Sequence, residues 1–170
     1  MTSINPIEEL TGKIPSGLFI VTTPPDEIGL SQAHLASWVM QISFSPLLIS
    51  MAIKKDRPTY APIIGTGFFG LSLISDQETQ ILRHFWKSYD SKTKENHPFY
   101  NGSIQWEEGH YKIPLLKESL GTLTCRLNEV ISPKNSDHEL FLSEIVEAKI
   151  FKNLSEQGPK IHLRKSALQY

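Results

Sequence analysis

Apolar and polar positions divide the chain into short segments, most of them too brief for long helices. Leu47 to Ile53 is an almost unbroken apolar run, the pattern of a strand buried on both faces, and Leu47 to Lys54 is assigned as that strand. Gly17 to Thr23 reads as an earlier strand closed by Pro24 and Pro25. Asp26 to Gly29 turns the chain, and Leu30 to Val39 returns as the next strand. Phe68 to Ile74 is a fourth strand. Leu123, Cys125 and Leu127 alternate with Thr122, Thr124 and Arg126, which predicts a half-buried strand. Leu140 to Phe151 is the last long strand, reached through a tight turn at Lys134 to Asp137. Between these, Gly102 to Leu116 reads as a short hairpin around Glu108 and Gly109.

Helix signals are few. Asn5-Pro6-Ile7-Glu8 carries a capping residue, a proline at the first position and a glutamate able to reach back, with Gly12 placed to end the helix. Pro58 to Ile64 is a second short helix, closed by Gly65. Ser75-Asp76-Gln77-Glu78 has the form of another capping box and predicts a helix to about Trp86, with Ile81, Leu82 and Phe85 on its buried stripe. Ser88 to Asn101 is polar and charged, the composition of a loop or lid. From Asn153 the chain is polar with scattered apolar residues, a loose tail or an arm for a partner subunit. Six or more strands with two or three short helices make a mainly β chain, a barrel whose open end is covered by helices.

Composition narrows the function classes. At 170 residues the chain reads as one domain spanning 1–170, near the usual size of about 150 residues per domain. Hydrophobic residues make up 39%, enough for a packed core. Seventeen basic residues stand against eighteen acidic ones, and a net charge of −1 disfavours a general nucleic-acid surface. A single-strand-binding barrel is therefore the weakest of the functional classes. One cysteine, Cys125, excludes an intrachain disulfide, fits a reducing cytoplasm, and lies on the apolar phase of its strand as a buried thiol. No apolar run reaches the roughly 18 residues of a membrane span, and no leader is visible, so a cytoplasmic protein is expected. The six histidines show no metal-binding spacing.

The chemistry concentrates between Leu35 and Tyr60. A buried strand ends there, Lys54, Lys55 and Arg57 follow, and Pro58-Thr59 opens a helix. Cations beside a helix start suit a phosphate, and arginine can bind one with two parallel hydrogen bonds. The same residues also read as a solvated turn. Gly65-Thr66-Gly67-Phe68-Phe69-Gly70 is a literal G-x-G-x-x-G, but helix precedes it and strand follows, the reverse of a dinucleotide-binding unit. Its glycines end a helix and start a strand.

Several pieces taken in order resemble the flavin reductase-like family, whose fold is an FMN-binding split β-barrel. They are Pro15-Ser16-Gly17, the strand to Thr23, Ala36-Ser37-Trp38-Val39, Ser43-Phe44-Ser45-Pro46, the strand Leu47 to Ile53, and Lys54 to Thr59. The resemblance covers about residues 12–152, leaves 153–170 as a tail, and looks closest to the flavin reductase domain of diflavin flavodiiron proteins. It implies FMN, or FAD in its place, with Lys54, Arg57 and Thr59 near the phosphate and Ser37 and Ser43 near phosphate and ribityl hydroxyls. Backbone groups of Leu35, Ala36, Ser37, Trp38 and Val39 would face the ring system, with Trp38 either shielding a ring face or simply part of the core. It also implies that His138 orients a nicotinamide, although His138 alone reads as a surface-turn residue. Ser136, Ser143-Glu144-Ile145 and Ser45-Pro46-Leu47 depart from the family's usual Gly-Asp-His, Gly-Glu-Val and double-proline patterns.

The expected function is hydride transfer from NADH or NADPH to flavin, and from there to free flavin, an oxygenase partner, an iron centre or oxygen. The alternative is a flavin-binding electron carrier that does not oxidise nicotinamide itself. The resemblance also implies a homodimer with each flavin near the subunit interface.

Overall fold

The computed structural model describes residues 5–85 and 93–162. Its largest element is one antiparallel sheet of seven strands in the order β3-β2-β6-β9-β10-β5-β4. The strands are β2 (Phe19–Pro25), β3 (Ser31–Ala36), β4 (Val39–Phe44), β5 (Leu47–Lys54), β6 (Phe68–Leu73), β9 (Gly121–Ile131) and β10 (His138–Ile150). A two-stranded piece pairs β1 (Ser16–Gly17) with β11 (Ile161–His162), and a hairpin pairs β7 (Trp106–Glu108) with β8 (Pro114–Leu116). The helices are α1 (Pro6–Gly12), α2 (Tyr60–Thr66) and two 3₁₀ segments, Thr79–His84 and His110–Lys112.

The sheet is closed by connectivity. β3 and β4 form its two edges, yet only Ser37 and Trp38 separate them in the chain. Two residues cannot span a flat sheet of seven strands spaced about 4.8 Å apart. The sheet therefore curls until its edges meet at that corner, which is the split of a split barrel. The corner is a tight turn, with Val39 N–H donating to Ser37 O at 3.1 Å, and it is tied to β5 by Ala52 N–H donating to Trp38 O at 3.0 Å. Register shifts at Leu142/Ser143 and Ile145/Glu147 in β10, and at Gln41/Ser43 in β4, add the bending that closure needs.

The barrel interior draws on every strand of the sheet. Val21, Ala36, Met51, Phe69, Cys125 and Phe141 are buried there, and Val39 packs against them. Ile63 of α2 plugs one end. A second core lies outside the barrel wall, where Leu18, Ile20, Ala33 and Ile74 meet Ile81, Leu82, Phe85, Phe99 and Leu116 from the covering segment. Ile20 and Val21 are sequence neighbours on opposite faces of β2, and each serves a different core.

Several expectations need correcting. Leu30 to Val39 is not one strand: the corner interrupts it, and β4 follows as a separate strand whose exposed residues include Met40, Ile42 and Phe44. Gly65 lies within α2, and Gly67, at φ 75°, ends it. Ser75 does not open an α-helix. Its hydroxyl accepts from Gln77 N–H at 3.1 Å while Asp76 N–H donates to Gly158 O at 3.0 Å, so the chain starts a 3₁₀ run four residues on. Thr122 and Thr124 are buried, because the β8 side of the covering segment lies over them and Ser72 Oγ pairs with Thr122 Oγ1 at 2.7 Å. His97, Pro98 and Phe99 are buried too, so that stretch of the expected loop is packed while Thr93 to Asn96 are exposed; Trp86 and residues 88–92 lie outside the described residues. The tail as far as His162 is no loose arm. It pairs with β1, and Lys160 N–H donates to Ile74 O at 2.8 Å.

The order of helix, Gly67 and then β6 disposes of the dinucleotide motif. Among the described residues no helix is long and apolar enough to cross a membrane.

Phe141 is fully buried in the barrel and its ring lies 5.6 Å from that of Tyr60. Phe141→Ala is expected to lower unfolding free energy by about 3–5 kcal/mol, read as a drop in urea midpoint; a drop under about 1 kcal/mol would mean the interior packs differently.

Candidate functional site

The corner that closes the barrel also makes a cleft. One wall is the end of β3 and the corner itself, His34 through Trp38; the other is the end of β5, Ala52 through Lys54. Arg57 and His138 complete it. His138 is brought in by register, since it pairs directly with Lys54 at the start of β10. Its ring centroid sits 4.9 Å from that of Trp38, and its Nδ1 is 2.7 Å from Asp137 Oδ1. That contact orients the imidazole and holds the Asp137 carboxyl below the usual carboxylate range.

Two features make the cleft a candidate binding site by its chemistry. First, Ser37 is buried, 2% exposed, and its hydroxyl has no hydrogen-bond partner among the described residues. A buried hydroxyl without a partner costs free energy, and a polar ligand in the cleft would supply one. Second, Arg57 is half-buried at the cleft and makes no ion pair with a carboxylate among the described residues, whereas Lys54 pairs with Asp56 at 3.1 Å. An unpaired guanidinium beside an orphaned hydroxyl suits a phosphate-bearing ligand.

The expected residues fall into three groups. Leu35, Ala36, Ser37, Trp38, Lys54, Arg57 and His138 share the cleft lining. Thr59 is fully buried beneath it, and its Oγ1 shares a hydrogen bond of 2.7 Å with His34 Nδ1. Val39 packs against the barrel interior, while Ser43 lies farther along β4, near its end. Neither Val39 nor Ser43 lines the cleft.

Two contributors escape a sequence reading. His34 is buried in the cleft wall and is pushed down to about 3, first by burial and then by the positive charge of Arg57. It is a neutral ring at ordinary pH. Glu139 is 6% exposed and accepts from Tyr60 Oη, from Ser132 Oγ at 2.6 Å and from Lys55 Nζ at 2.9 Å. Those partners hold its carboxyl down at about 2. The available signal was position: Glu139 follows His138, and Tyr60 follows the basic turn.

Comparison with known proteins agrees with the architecture. The family model described as "Flavin reductase like domain" matches residues 11–168, and the chain belongs to that family. The putative diflavin flavoprotein A 3 of Nostoc sp. (strain PCC 7120) is 29% identical over 166 residues, 96% of this chain and 27% of that protein. The chain thus spans about a quarter of the length of the curated relatives it matches. Among solved structures, the NADH:FAD oxidoreductase SgcE6 of Streptomyces globisporus C-1027 superposes with a TM-score of 0.77 at 20% identity, covering 92% of this chain and 86% of that one. BorF, the flavin reductase component of a bacterial two-component tryptophan halogenase, gives 0.69 at 19% identity, covering 85% and 86%. At these identities the superpositions establish a shared split-barrel fold.

Burial of His34 ties stability to pH. Its folded value of about 3 lies below the ordinary 6.5, so its full contribution is present above pH 6.5 and is lost as pH falls toward 3. The loss approaches about 1.4 kcal/mol per pH unit. Glu139 acts in the same direction only below its ordinary 4.5. Urea unfolding between pH 7 and 5 should therefore show falling stability in the wild type and a flatter profile in His34→Gln. Equal slopes would overturn the assignment.

Proposed function

We propose that this chain is a flavin-dependent oxidoreductase module that holds FMN, or FAD in its place, in the corner cleft and accepts hydride from NADH or NADPH. The observation that carries the reading is Ser37 Oγ, a buried hydroxyl without a partner among the described residues, in a cleft where Arg57 also stands unpaired. Family membership supports it, as does the relative SgcE6, solved in complex with NAD and FAD fragments.

Arg57 and Lys54 bind the phosphate, Lys54 exchanging Asp56 for it. Ser37 gives its hydroxyl to the phosphate or the ribityl chain. Backbone groups of Leu35 to Val39 orient the ring system. His138, steered by Asp137 and set beside Trp38, orients the nicotinamide. The flavin, when bound, supplies the hydride acceptor. The protein's task is then to hold two flat rings together and exclude water, and proximity replaces acid–base catalysis. The electron acceptor would be free flavin, an oxygenase or another redox partner.

The test is the visible spectrum of purified protein reconstituted with FMN, followed anaerobically as NADPH and then NADH are added. Bleaching by either nucleotide is expected. A flavin spectrum that persists with both would leave an electron carrier, and failure to bind FMN or FAD would sink the reading. Arg57→Ala should weaken FMN binding about tenfold or more, since a charged hydrogen bond contributes about 1.5–3 kcal/mol. Unchanged affinity would remove Arg57 from the phosphate site.

The same reading includes a homodimer. The wall that carries β4 is left uncovered by the outer segment, and beyond the register shift in β4 Phe44 (88% exposed) pairs with exposed Leu47, with Ile42 beside them and Met40 (64% exposed) nearer the corner. Its strand begins at the cleft corner, so a second copy seated there would close over the cofactor. Sedimentation equilibrium at micromolar concentration should give the mass of two chains; a single-chain mass would refute the dimer.

A further inference from the structure

The cleft's cations sit on a four-residue turn, Lys54 to Arg57, that is closed by Arg57 N–H donating to Lys54 O at 3.0 Å. Little else in the turn's own sequence holds it. Lys54 and Asp56 pair on the surface, and Lys55 and Asp56 are exposed. What fixes it lies behind, in a cluster that takes no part in lining the cleft.

Glu139 is the centre of that cluster. Its Oε1 accepts from Lys55 Nζ in the turn and from Ser132 Oγ just beyond the end of β9. Its Oε2 accepts from the hydroxyl of Tyr60, the first residue of α2. One carboxylate on β10 therefore joins the turn, the helix after it and the segment beyond β9. Glu139 also adjoins His138, which faces the cleft from the other side of the strand.

We infer that Glu139 is a positioning residue for the phosphate-binding turn: through Lys55 and Tyr60 it sets where Arg57 stands, and so it governs affinity for the phosphate end of the flavin and not for the ring end. This rests on the flavin reading given above. Glu139 does not line the cleft and is given no part in any bond change. Its effect follows from geometry, because two parallel hydrogen bonds from a guanidinium to a phosphate are lost when the turn shifts by a fraction of an ångström.

The charge of Glu139 works in the opposite direction. A carboxylate near a phosphate repels it, so if charge alone mattered, Glu139→Gln would tighten FMN binding. If the clamp matters, the same variant weakens it. Tyr60→Phe removes one hydroxyl from the cluster and changes no charge, which separates the two effects further.

The experiment compares FMN with riboflavin, which has the same ring system and ribityl chain but no phosphate. Binding is read by quenching of flavin fluorescence, with no nicotinamide present, in wild type, Tyr60→Phe and Glu139→Gln. Thermal unfolding of each variant serves as the control for global damage. The clamp predicts a loss of FMN affinity of at least fivefold in both variants, with riboflavin affinity changed less than twofold. A general structural role would lower both flavins together, and that result overturns the inference. Unchanged or tighter FMN binding overturns it equally. If Glu139→Gln does not fold, Tyr60→Phe alone decides by the same ratio. A wild-type protein that binds neither flavin overturns the flavin reading itself, and the clamp with it.

Discussion

A two-residue link between the two edges of one sheet is the constraint from which the structure follows. Because only Ser37 and Trp38 separate β3 from β4, seven strands must curl into a barrel. The closure creates an interior to which each strand contributes, and it leaves a seam where the edge strands diverge. At the seam, backbone leaves the regular ladder and a polar side chain can be buried without a partner, as Ser37 is. The binding cleft is therefore a product of closure. Other families could use the same barrel with a different seam chemistry, so the residues placed there, and not the fold, carry the function.

The barrel wall is used asymmetrically. One side is covered by the segment that brings Phe85, Phe99 and Leu116 onto β2 and β6, and the chain after β10 folds back to pair with β1 beside it. The other side carries the basic turn, the cleft and the exposed apolar residues of β4. Stability and binding are thus separated in space. The paired tail and the outer core fasten one half, while on the cleft side specific polar contacts, His34 with Thr59 and Glu139 with Tyr60, add to the barrel core.

Much of this was legible along the chain, for identifiable reasons. The strand Leu47–Lys54 has the same ends in sequence and structure because its apolar run is interrupted only at Ser50, although Leu47 is exposed and Leu48 and Ala52 are half-buried, so it is not covered on both faces throughout. The cluster Lys54, Arg57 and His138 was legible through its family pattern. β4 was not, because it is an edge strand with exposed apolar residues and its start is a turn built from serine and tryptophan, which send no turn signal. The capping box at Ser75 misled because the returning tail engages the backbone beside it, a contact more than eighty residues distant. The sequence did not show that the Thr59 hydroxyl shares a hydrogen bond with His34; the partner sits twenty-five positions earlier, and only folding brings the two together.

Cys125 has a consequence for how such a protein endures its own chemistry. The thiol lies in the barrel interior and burial pushes it up to about 12. Peroxide attacks the thiolate, the form that burial disfavours at Cys125, and the buried sulfur has no open path to solvent. If the cleft holds a flavin as proposed, peroxide formed there by leakage to oxygen would meet no ready cysteine thiolate, since Cys125 is the chain's single cysteine.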